Sequence, residues 1–185
     1  MLAPVPPALV TCGDGEHSNL LTVAWTGIVC TIPPKTYISL RPSRYSYGLI
    51  KDSGEFVINL TTEALVRSAD YCGVHSGAHE DKFLKCGLTR SPAAEVRCPL
   101  LAESPLSLEC RVTQIIPLGS HDMFLADIVA VDADDSLIGA DGKLGLDHAG
   151  LVAYAHGDYY ALGKKLGKFG FSVAKKKNKN SSLNH

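Results

Sequence analysis

Between Ser39 and Ser46 the chain reads SLRPSRYS, three serines and two arginines within eight residues. Pro42 stops the stretch before it, and Ser43 is a natural N-cap for a helix running to about Lys51. A helix start offers free backbone N–H groups and the positive end of the helix dipole. Arg41 or Arg44 would add paired, charge-assisted bonds, and serine hydroxyls can donate as well. That chemistry suits a phosphate group. A capped helix with two solvated arginines is the competing reading, and the octapeptide alone leaves both open.

A second stretch, SNLLTVAWTG, runs from Ser18 to Gly27 behind a polar turn and carries the only tryptophan of the chain. If this strand lies beside Tyr37 to Arg41, its amides and the Thr22 and Thr26 hydroxyls face one cavity. A flat heteroaromatic with ring nitrogens and carbonyls would match such an edge. Trp25 could pack on that ring or fill the core, the commoner place for a lone tryptophan. Asn59 lies on the polar side of its own strand, where a structural hydrogen bond competes with a ligand contact. Asp81 and Lys82 read equally as a helix-surface pair. His75, His79 and His156 are scattered, and none pairs with a cysteine or carboxylate at metal spacing, so no metal is expected.

These residues must be positioned by the rest of the chain. Its 185 residues suit one domain of ordinary size, and 45% apolar with 20% charged residues is a globular composition. Residues 1–174 are taken as that domain, and 175–185, KKKNKNSSLNH, as a basic polar tail without a core, expected to be disordered. A net charge of −1 argues against a nucleic-acid footprint. No apolar run approaches the ~20 residues that cross a bilayer, and the start lacks a signal-peptide pattern, so a cytoplasmic protein with reduced cysteines and no membrane partner is expected. The six cysteines form no C-x-x-C pair. Cys30 and Cys72 could be redox-active, but small buried thiols are the plainer expectation.

Ala8 to Cys12 and Leu20 to Cys30 read as strands around a turn at Gly13 to Glu16. Thr36 to Arg41 alternates, with Ile38 and Leu40 apolar against Tyr37, Ser39 and Arg41. Phe56 to Thr61 alternates again, and a helix follows to about Tyr71. Glu80 to Lys85 reads as a short helix closed by Gly87. Ser104 to Ile116 alternates as a half-exposed strand and pairs with Met123 to Asp132 in a long hairpin. Tyr154 to Phe171 is rich in glycine and aromatics. The sum is mainly β, an antiparallel barrel with helical insertions. No βαβ rhythm and no G-x-G-x-x-G after a strand supports a doubly wound nucleotide fold.

In this order, NLLTVAWTG, PP, ISLRPSRYSYGLI, GEFVINL and CGVHSGAHEDKF resemble the flavin reductase-like FMN-binding proteins, of the flavoredoxin type. The resemblance spans nearly all of Pro4 to Phe171. It implies an FMN-binding split barrel, a homodimer, non-covalent FMN, and electrons taken from NADH, NADPH or a redox partner protein. It places Asn19 and Thr22, Val23, Ala24, Trp25 and Thr26 along the ring, and Ser39, Arg41, Arg44 and Ser46 at the phosphate. Asn59 falls near the ring. Ser76, Gly77, Asp81 and Lys82 form a loop in which Lys82 meets phosphate or ring edge. His156, Tyr159, Tyr160 and Phe169 belong to a C-terminal segment that approaches the flavin, often across the dimer. The function implied is an NAD(P)H-dependent FMN reductase. The alternatives are an electron carrier without NAD(P)H turnover, and a non-catalytic module for flavin or another flat ligand.

Overall fold

A computed structural model describes residues 2–174. The basic tail expected from Lys175 lies outside the described residues.

Strand β1 (Ala8–Cys12) is buried along its whole length. It needs partners on both sides, and it pairs antiparallel with β2 (Asn19–Val23) and β5 (Glu55–Leu60). The turn into β2 starts at Gly13, whose φ is +80°. A Cβ there would stand 2.7 Å from the His17 carbonyl oxygen, so the turn admits only glycine.

The remaining strands of the main sheet are β3 (Thr26–Thr31), β4 (Pro34–Leu40), β8 (Leu106–Pro117) and β9 (Asp122–Ala133), with short β6 (Arg90–Ser91) and β7 (Leu100–Leu101) forming a separate pair. The seven-stranded order is β2-β1-β5-β8-β9-β4-β3. Its two edges, β2 and β3, are joined by Ala24 and Trp25 alone, so the sheet must curl until its edges meet. The Ser39 amide donates to the Trp25 carbonyl at 2.9 Å and stitches that corner to β4. The expected mainly β barrel with helical insertions is therefore the architecture observed. The stretch Leu20 to Cys30, read as one strand, is two strands with a corner between them.

Val10, Ile38, Phe56, Cys110 and Phe124 fill the barrel. Outside it, helices α2 (Val66–Val74) and α3 (Lys82–Cys86) cover β1 and β2 through Leu9, Leu20, Ala69, Cys72 and Phe83. Burying each of the Leu and Phe side chains among them contributes about 1.5–3 kcal/mol. Asp81 caps α3 by accepting from the Phe83 and Leu84 amides at 2.9 and 3.3 Å. It is bound by Arg90 as well, so the expected surface pair with Lys82 does not form. Helix α1 (Tyr45–Ser53) starts two residues after Ser43. Arg44 is its N-cap, and no side chain caps its amides.

Of two strands expected to be half-exposed, β5 is covered on both faces and β8 is covered so only over its first half, 106–110, with Arg111 and Thr113 exposed beyond it. In β5, Phe56, Val57, Ile58 and Asn59 are all buried. In β8, Glu109 is fully buried, because its carboxylate accepts from the Ala94, Glu95 and Val96 amides at 2.8, 2.7 and 2.9 Å. The loop held there lies over the face that alternation assigned to water. Burial, and then the Glu109 charge, push the neighbouring Asp132 carboxyl up from its usual range.

Candidate flavin-binding site

Where β2 turns into β3, Ala24 and Trp25 leave the sheet, and a hollow opens between this corner, the start of α1, and the end of α2. It has three adjoining chambers of about 240, 140 and 510 Å³, and Thr22 lines all three.

The first chamber is cationic. Arg41, Arg44 and Lys82 line it, and among the described residues no carboxylate does. Ser43 and Ser46 come from the uncapped start of α1, while Ser76 and Gly77 come from the loop after α2. Lys82 is only 3% exposed, and its ammonium donates to the Cys72 carbonyl at 2.9 Å. Burial pulls its pKa down; Cys72 opposes that, and the Arg44 charge adds to it. A buried ammonium beside the Arg44 guanidinium, with the Glu80 charge opposing the effect, is a place that an anion would stabilise. Arg44 reaches across the mouth, with one Nη donating to the Gly73 carbonyl at 3.3 Å. An uncapped helix start beside three cations has the chemistry that suits a dianion.

Asn19 sits in its floor, 5% exposed, and donates to the Ser46 hydroxyl at 2.6 Å. Gly77 closes over Asn19 so tightly that an added Cβ would fall 1.9 Å from its Oδ1. Gly77→Ala must therefore push out either Asn19 or the loop. The expected cost is about 1–3 kcal/mol, read as a lower Tm, together with weaker binding of an anion such as phosphate in the chamber. An unchanged Tm and affinity would mean the loop shifts freely and has no part in shaping the chamber.

The middle chamber runs along Val23, Ala24 and Trp25 to Ser39, Arg41 and Arg44, with His121 at its side. The third chamber is aromatic. Trp25, Tyr154, His156 and Tyr159 line it, with Asp70 and Gly73 from α2. Hairpin β10 (Val152–Ala155) and β11 (Asp158–Ala161) delivers the two tyrosines, which face each other in register with ring centroids 5.2 Å apart. Val5 bridges to Tyr154, so the hairpin docks within its own chain. Burial, and then the Asp70 charge, push Tyr159 up to about 12, so it is a neutral phenol at ordinary pH.

Most of the residues named from the sequence thus meet at one hollow: Asn19, Thr22, Val23, Ala24, Trp25, Ser39, Arg41, Arg44, Ser46, Ser76, Gly77, Lys82 and His156. Trp25, for which packing on a ring and filling the core were both open, is 42% exposed on the wall. Five named residues lie elsewhere, among them Asp81 at the α3 cap and Tyr160, which is 53% exposed and lines none of the three chambers. The Thr26 hydroxyl donates to the Tyr37 carbonyl at 2.6 Å and pins β3 to β4. Asn59 is fully buried between strands, donating to the Leu9 carbonyl at 2.9 Å and accepting from the Leu101 amide at 2.9 Å and the Ser107 hydroxyl at 2.8 Å. Phe169 is fully exposed, away from the hollow. Thr22 does line it, but its hydroxyl donates to the Ala69 carbonyl.

Tyr154, Asp70 and Gly73 were missed. A signal for Tyr154 existed: His156 and Gly157 both have positive φ, the two-residue hairpin turn that sets Tyr154 opposite Tyr159. Asp70 and Gly73 are three apart on one helix face, a spacing without meaning until the opposite wall is known.

A model of the flavin reductase like domain matches residues 2–163. The chain belongs to the flavin reductase-like family. Its structure is similar to that of flavoredoxin from Desulfovibrio vulgaris (Miyazaki F), with a TM-score of 0.86, 36% identity and 95% of both chains covered. It is 33% identical over 142 residues to a protein of Archaeoglobus fulgidus, covering 77% of this chain and 78% of that one. It is 30% identical over 128 residues to a protein named NADPH-flavin oxidoreductase in Streptomyces viridifaciens, covering 68% of this chain and 65% of that one. Among the described residues no helix is long and apolar enough to cross a membrane, and no group of three His, Cys, Asp or Glu is placed to hold a metal.

Proposed function

We propose that this flavin reductase-like chain binds FMN non-covalently and passes electrons from NADH or NADPH to a flavin or protein acceptor. One observation carries the reading: a chamber lined by Arg41, Arg44 and Lys82 and an aromatic chamber adjoin at Thr22, as a phosphorylated flat ring requires. Arg41, Arg44 and Lys82 would hold the phosphate dianion, with the Ser43 and Ser46 hydroxyls and the open amides of α1 beside it. The backbone of Val23 to Trp25 would border the ring, and Trp25, Tyr154 and Tyr159 would keep water from it. When bound, FMN would supply the hydride and single-electron chemistry; the chain contributes position and charge. The positive chamber would also favour a more negative guest over a neutral one.

Purified protein is expected to be yellow and to release FMN on denaturation. Anaerobic mixing with NADH or NADPH is expected to bleach that colour. A colourless protein that ignores added FMN would overturn the assignment. The similarity to a flavoredoxin over 95% of the chain favours a second reading, an electron carrier served by a redox partner protein. Bound flavin that stays oxidised with both nicotinamides but is reduced by ferredoxin would select it.

The family resemblance implies a homodimer. Ile28 and Val29 on β3 and Ile32 just after it are exposed at 60, 51 and 90%, an apolar stretch that a second copy would cover. Light scattering of the same preparation should give twice the chain mass, and a monomer at micromolar concentration would count against it.

A further inference from the structure

Cys72 lies near the end of α2 and Cys86 closes α3, and their sulfurs stand 4.0 Å apart. Both are free thiols; Cys72 is buried and Cys86 is partly exposed. Between them runs the segment that walls the cationic chamber, with His75, Ser76, Gly77 and Lys82. The Lys82 ammonium is bonded to the carbonyl of Cys72 itself, so the pair sits at the joint of that wall. A disulfide needs its sulfurs about 2 Å apart, so closure asks for an approach of roughly 2 Å. Cys86 is the last residue of a five-residue helix that ends at Gly87 in the left-handed region, a short end able to yield.

We propose that Cys72 and Cys86 form a reversible disulfide site, oxidised by small-molecule disulfides, which staples the wall of the cationic chamber. Cys86, the partly exposed thiol of the two, attacks as the thiolate on one sulfur of the small disulfide. A mixed disulfide forms at Cys86, and one small thiolate leaves and takes a proton from water. Cys72 then gives its proton to water and attacks the Cys86 sulfur, and the second small thiolate leaves and is protonated in turn. Two protein thiols lose two electrons and two protons, and the small disulfide gains both as two thiols.

Burial, with Cys86 beside it, pushes the Cys72 thiol up to about 12, while Lys82 opposes the shift. Cys72 is thus a weak attacker for a distant target, and it acts here because the target is held next to it. A reductant that attacks the open Cys86 sulfur must expel Cys72, a poor leaving group, so the bond outlasts brief contact with monothiols. The buried thiols of Cys12, Cys98 and Cys110 offer no such entry from solvent. Cys30 is partly exposed, and its thiol donates to the Ile32 carbonyl. The site goes beyond the flavin assignment and stands without it.

The test uses the full chain treated with oxidised glutathione, then alkylated, digested and weighed. The expected product is a peptide pair joined through Cys72 and Cys86, two hydrogens lighter than the sum. Amide exchange across 75–81 is expected to slow roughly tenfold and to recover after a phosphine reductant. Cys86→Ser, at the partly exposed position, should keep its Tm, give no cross-link and leave Cys72 reduced. Full alkylation of both thiols after oxidation, a cross-link to any other cysteine, or unchanged exchange over 75–81 would overturn the proposal.

Discussion

Arg41→Ala is expected to weaken FMN binding about tenfold to a hundredfold and to leave riboflavin nearly unaffected. A charge-assisted hydrogen bond to phosphate is worth about 1.5–3 kcal/mol, and each 1.4 kcal/mol is a factor of ten. Arg41 lines the cationic chamber and the middle chamber beside it, so it stands where phosphate and ring would join. Its loss leaves Arg44 and Lys82, which is why binding should fall rather than vanish. Riboflavin lacks the phosphate, and its affinity reports the ring contacts alone. Fluorescence titration of both ligands reads the ratio. Equal weakening of the two would move the phosphate away from Arg41.

Asn59→Ala is expected to cost on the order of 3 kcal/mol of stability, about 6–12 °C in Tm for a chain of this size. The side chain satisfies the Leu9 carbonyl, the Leu101 amide and the Ser107 hydroxyl, all deep between β1, β5, β7 and β8. Removing it strands three polar groups where water does not reach, and a buried unpaired group costs more than its bond returned. The FMN affinity of the folded fraction should be unchanged, because Asn59 does not line the hollow. A variant with wild-type Tm and lost FMN would return Asn59 to the site. Urea midpoints and FMN titration on one preparation separate these outcomes.

The two substitutions mark how far local pattern reaches. Alternation in Thr36 to Arg41 separates Ile38 and Leu40, which enter the core, from Ser39 and Arg41, which face the hollow and solvent. The same alternation in Phe56 to Thr61 and in Ser104 to Ile116 names two faces correctly and misjudges one of them, in the second stretch only as far as Glu109. Period two says which residues share a face. It does not say that the 92–98 loop will be drawn over Glu109, or that Leu101 will meet Asn59 from 42 residues away. The split of SNLLTVAWTG was equally hidden, since β-propensity runs on through Ala24 and Trp25. The corner follows from closing a seven-stranded sheet whose edges are neighbours in the chain.

From its residues in order, the chain already declares a mainly β barrel, a serine- and arginine-rich helix start suited to an anion, and a flavin-family motif series. Those features are local: turn glycines, alternation and helix-start chemistry act within a few residues. Folding in three dimensions settles which polar groups become neighbours. Asn19 meets Ser46 and Gly77, Lys82 meets Cys72, and Tyr154 meets Trp25 across an aromatic chamber. Asn59 and Thr26 turn inward to hold strands together. A polar side chain takes its role from the partners that burial brings to it, and sheet closure selects those partners across tens of residues.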